Sequence, residues 1–154
     1  MKLFADTYFS DWELRQERPS DLNGVKSNIC GIEGTLRVGI ATKGYALIQL
    51  ERVPDDGKAP EERARRFADQ ALDHACAGRD PGDYHQLDGA FDHSAGCTSK
   101  RQPGAGATVV KDLDVTSVEV AVRTTDAPAE EANTFALRAA EAMARACLTL
   151  MSKR

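Results

Sequence analysis

At 154 residues, with hydrophobic residues at 42% and charged residues at 29%, the chain has the size and composition of one folded domain. Its 24 acidic against 20 basic residues leave a net charge of −4, so there is no broad positive field and nucleic acid is not expected as a partner. The longest apolar runs, such as Tyr45 to Leu50, fall far short of the roughly 20 residues of a membrane-crossing helix, and no membrane insertion is expected.

Residues 1–29 form an aromatic-rich opening segment, in which Phe4, Tyr8, Phe9 and Trp12 supply four of the chain's nine aromatics (five Phe, three Tyr, one Trp). Phe4, Tyr8 and Trp12 recur at intervals of four, which predicts one helical face. Such a face either packs on the core or forms an exposed arm, because aromatic anchors are what interfaces favour. These three are the candidate partner-binding residues. Met1-Lys2 is followed at once by Phe4, Asp6, Tyr8 and Asp11, which lacks the uninterrupted apolar stretch of a secretory signal.

The first of two units spans residues 30–78. Leu36, Val38 and Ile40 alternate with Thr35, Arg37 and Gly39, a turn-compatible Thr42-Lys43-Gly44 follows, and the strand pattern resumes from Tyr45 through Glu51, predicting a β-hairpin. Pro54-Asp55-Asp56-Gly57 ends it. Pro60 suits a first helical turn, and Ala64, Phe67, Ala68, Ala71, Leu72 and Ala75 make one apolar stripe, predicting a helix over 60–77 that stops at Gly78.

Residues 79–105 are rich in Gly, Asp, Ser and Pro, with a short strand possible between Phe91 and Thr98, and Gly104-Ala105-Gly106 reads as a flexible turn. The second unit covers 97–152: Ala107 to Val110 pairs with the alternating Val118, Val120 and Val122, and a helix begins near Pro128. Ala64, Phe67, Ala68 and Ala71 correspond to Ala132, Phe135, Ala136 and Ala139, and each run follows a strand of alternating aliphatics. The pattern predicts an α+β domain of duplicated β-β-α units, an antiparallel or mixed sheet with both helices packed on one face.

Potential ligands cluster at His74, Cys76, Asp83, His85, Asp88, Asp92, His93 and Cys97, but their spacing matches no compact zinc pattern, so no metal and no cofactor is expected. A cysteine–histidine hydrolase would require Cys97 as an activated thiolate beside His93 or His85. Gly104-Ala105-Gly106 lacks the Lys-Ser/Thr of a phosphate loop, and no catalytic residues are assigned.

Cys30, Cys76, Cys97 and Cys147 are an even set, expected to form two disulfides in an oxidising compartment. A helix from Pro60 to Cys76 rises about 25 Å and carries Cys76 to the far end of its unit from Cys30, whereas a disulfide spans only about 7 Å between Cα atoms. The same reasoning disfavours Cys97–Cys147. Cys76–Cys97 with Cys30–Cys147 is the favoured pairing, and Cys30–Cys97 with Cys76–Cys147 stays open.

The run Ala-Met-Ala-Arg-Ala-Cys147, the hairpin after Cys30 and the mid-chain Cys97 resemble small extracytoplasmic actinobacterial proteins of unknown function, over about residues 30–148. That resemblance implies secretion or surface tethering and supplies no catalytic residues. The expected function is a non-enzymatic extracytoplasmic module that binds another protein through the aromatic segment or an exposed sheet surface, an immunity or inhibitor protein being one version. The alternative is a small hydrolase or metal-dependent enzyme using residues 74–97.

Overall fold

In the computed structural model, which describes residues 2–153 and side chains from Ala5 onward, a short helix α1 (Lys2–Tyr8) leads into three strands, β1 (Phe9–Leu22), β2 (Val25–Leu36) and β3 (Lys43–Arg52). Helix α2 (Pro60–Ala75) follows, then β4 (His93–Thr98), β5 (Gly104–Lys111), β6 (Asp114–Thr124) and the long α3 (Ala129–Ser152). The six strands form one sheet in the order β1-β2-β3-β6-β5-β4, antiparallel at every junction. The domain is therefore α+β, and the antiparallel form of the expected sheet is the one observed.

The hairpin is present with its strands displaced. β2 ends at Leu36, residues 37–42 make the connection, and Ile40, which the alternation places in a strand, is 86% exposed. Val38 and Ile40 do alternate, but the strand has already spent its core-facing positions on Cys30, Ile32 and Leu36, all buried.

The opening segment is neither one helix nor a detached arm. Helix α1 stops at Tyr8, and from Phe9 the chain runs as the long edge strand β1, so Tyr8 and Trp12 lie in different elements. Phe9 is fully buried and anchors the change of direction, while a left-handed Asp11 (φ 49°) and irregular register after Ser10 bend the strand. Pro19 is tolerated because β1 has a free side that needs no N–H from it.

The sequence pattern predicts both helices on one face, but they flank the sheet. Side chains of α3, including Ala136, Ala140 and Met143, share a core with Ala105, Ala107 and Val109 of β5, whereas Ala64 and Ala68 of α2 pack with Val110 and Val115. Odd and even positions of one strand point to opposite faces, so the two helices sandwich β5 and β6. The reversal is made between the strand and the helix, where Gly57 (φ 72°) and Ala59 (φ 48°) turn the chain before Pro60 starts α2.

Each helix follows three strands, not two, and the opposed placement breaks the expected duplication. A two-fold axis normal to the sheet could exchange the antiparallel neighbours β3 and β6, but it would keep both helices on one face. The similarity of the two helical stretches is accounted for by their shared need for a small-residue apolar stripe.

β5 makes the sandwich possible. Gly104 to Gly106, expected as a flexible turn, lies within this strand, which is buried from Gly104 through Val110. A Cβ on Gly106 would sit 2.4 Å from the Cβ of Ala75, so the glycine sets how closely α2 approaches. Gly106→Val should therefore destabilise the fold by about 1–3 kcal/mol through overpacking. Thermal unfolding should show a melting temperature lower by several degrees.

Candidate functional site

Three places bring together side chains with chemical potential: a cleft holding two histidines, the four cysteines, and a groove on the α2 side of the sheet.

His85 and His93, with Asp69, Asp73 and Tyr84, line a cleft of about 550 Å³ beside β4. Every imidazole of the chain faces a carboxylate on another element. His93 Nε2 is 2.9 Å from Asp69 on α2, His74 Nδ1 is 3.0 Å from Glu119 on β6, and His85 Nε2 meets Glu141 on α3. Tyr84 donates to Asp73 at 3.1 Å, and burial together with that carboxylate pushes its phenol up to about 12. These contacts fasten the segment after α2 to both helices. Among the described residues no three His, Cys, Asp or Glu side chains converge as a metal site.

Cys97, the nucleophile of the hydrolase reading, is bonded to Cys76 across 5.9 Å between Cα atoms, one half of the favoured pairing. The bond ties the end of α2 to β4. It leaves no thiolate beside His85 or His93, and Ser94, which also lines the cleft, is buried and bonded to the Leu87 backbone.

The second expected bond, Cys30–Cys147, is not formed: both are free, buried thiols in the core between α3 and the sheet. Burial raises both, Cys147 to about 11 and Cys30 with a further push from Glu17. They pack as small hydrophobes. Iodoacetamide at neutral pH should leave both unmodified in the native protein and alkylate two thiols after unfolding without reductant. Peptide mapping should then recover Cys76 joined to Cys97.

Of the proposed partner-binding residues, Tyr8 is half-buried with its ring edge-on to Phe135 (centroids 5.9 Å apart). Trp12 is half-buried against the same core and donates from Nε1 to Asp6 at 2.7 Å. The Phe4 side chain lies outside the described residues.

The third concavity was not anticipated from the sequence. It is a groove of about 690 Å³ between α2 and the β1–β2 ribbon. Val25 and Ile29 of β2 and Phe67 of α2 supply apolar surface, and Lys58, Arg63 and Arg66 supply positive charge. Gln49 and Glu51 of β3 complete the floor. A further depression of about 340 Å³, sharing Gln49, Phe67 and Gln70, continues towards His74 and Glu119. The signal that points to it is the alternation of Val25, Ser27 and Ile29, which marks a strand face with no helix above it.

Glu51 is only 7% exposed, and burial raises its carboxyl against the opposing effect of the Gln49 amide, which donates to it at 2.9 Å. A raised folded-state value means that the protonated acid favours folding. This contribution is complete below the unfolded value near 4.5 and is lost as pH rises through the folded value. Glu51→Gln should therefore be more stable than the parent at neutral pH, with the difference shrinking as pH falls towards about 4.5 and levelling off below it. Parallel urea titrations across that range check it.

No family model, curated protein or solved structure matches this chain.

Proposed function

We propose that this protein is a non-enzymatic binding module that works outside the cytoplasm and receives its partner in the groove between α2 and the β1–β2 ribbon. The observation that carries the reading is the uncovered half of the sheet: α2 lies over β5 and β6, and the same face of β2 and β3 opens into the groove. Its volume falls within the roughly 300–1,000 Å³ typical of ligand sites.

Three further features support it. The Cys76–Cys97 bond fits an oxidising compartment. The histidines of the 74–97 region are engaged by carboxylates that hold the fold, and Cys97 is spent in the disulfide. Tyr8 and Trp12 are tied into the structure, so the exposed sheet surface, the other route anticipated for partner binding, is the one the proposal adopts.

Nile red, a neutral apolar dye, should bind one saturable site and brighten. Ile29→Asp should abolish that signal without lowering the melting temperature by more than a few degrees, because Ile29 is only half-buried. A signal unaffected by Ile29→Asp would sink the reading.

A further inference from the structure

We propose that the groove binds an amphipathic carboxylate, whose apolar body lies on Val25, Ile29 and Phe67 and whose head group sits among Lys58, Arg63 and Arg66. This rests on the groove being the binding site and adds the chemistry of its occupant.

Charge complementarity is the first argument. The groove is lined by three cations against two carboxylates, Glu51 and Asp56. Asp56 is already occupied, because Arg63 Nη1 donates to its two oxygens at 3.0 and 3.2 Å. Arg66 is only loosely held: its side chain is 60% exposed and its contact with Glu62 is 3.8 Å. At the far end, the Glu119 carboxylate is engaged by His74, whose Nδ1 lies 3.0 Å from it.

The second argument is an unmet donor. Arg63 Nη2 is buried without any acceptor. A charged donor in that state is costly, and a bound carboxylate removes the cost. The guanidinium is held by Asp56 and the Lys58 carbonyl through Nη1 alone, which leaves Nη2 as the end without a partner in a residue that lines the groove. A planar guanidinium matches the two oxygens of a carboxylate, and Arg66 stands one helical turn along α2 to add the second cation.

Across the groove from the cations β2 is apolar, and Phe67 adds apolar surface beside them on α2. Val25 and Ile29 belong to β2, whereas Arg63 and Arg66 belong to α2, so a ligand lying along the groove must present an apolar flank and an anionic end.

Isothermal titration of the full chain with decanoate, decanol and decylammonium, each below its aggregation limit, tests the inference. Decanoate should bind one to one, about tenfold tighter than decanol, the gain of one charge-assisted hydrogen bond. Decylammonium should be weaker than both. Arg66→Gln, and Arg63→Lys, which retains a cation for Asp56, should each weaken decanoate by about tenfold and leave decanol unchanged. Glu51→Gln, which removes the remaining unpaired carboxylate, should tighten decanoate. Equal affinities for decanoate and decanol, both lost in Ile29→Asp, would overturn the carboxylate assignment while leaving the groove as the binding site. Binding of neither, with no displacement of Nile red, would overturn both.

Discussion

The structure depends on how closely two helices can approach the two faces of one strand. β5 begins Gly-Ala-Gly-Ala, and only side chains of that size let Ala75 and Leu72 of α2 come down on one face while the alanines of α3 come down on the other. Six strands spaced about 4.8 Å apart make a sheet well over 20 Å wide, and a helix covers about 10 Å of it. With both helices committed to β5 and β6, neither face is fully covered. On the α3 side the deficit is made up by α1 and Phe9, which join the main core with Ile32 and Leu36. On the α2 side nothing in the described residues plays that part, and the groove follows from this shortfall.

Close approach has a cost in α2. Its buried face is Ala64, Ala68, Leu72 and Ala75, small side chains that bury little apolar area. The helix is held by other means at both ends. Near its start Arg63 pairs with Asp56, and near its end the disulfide joins Cys76 to β4 while His74 meets Glu119 and Asp69 meets His93. A wall fastened at both ends keeps the groove open in the absence of an occupant, which lowers the cost of ordering it on binding.

Much of the local structure was legible in the sequence. Both long helices start where Pro60 and Pro128 indicate, the strand containing Val118, Val120 and Val122 is in place, and helix rise was enough to rank Cys76–Cys97 above Cys30–Cys76. The failures share a cause: the deciding contact lies outside the local window. Phe4, Tyr8 and Trp12 have helical spacing, but burial of Phe9 turns the chain into a strand after about two turns. Glycines at 104 and 106 signal a turn locally and close packing globally. Cys30 and Cys147 reach the same core, as the expected pairing required, yet they are accommodated there as thiols. The groove arises from the placement of α2 relative to the earlier β1–β2 ribbon, of which the alternation at Val25, Ser27 and Ile29 marks only one wall.

The histidine-lined cleft and the groove lie on opposite sides of α2, and the same helix discriminates between them. On the cleft side α2 presents Asp69 and Asp73, and both are consumed in holding His93 and Tyr84. An imidazole that clamps two elements together has its orientation set by the fold, and moving a proton through it would loosen the clamp. On the groove side α2 presents Arg63, Phe67 and Arg66, of which Phe67 is only half-buried and Arg66 is exposed. A helix this sparing in apolar burial gains little for its own stability by turning the Phe67 ring and the Arg66 guanidinium towards the groove. That combination is the one that gains most when an apolar anion fills it.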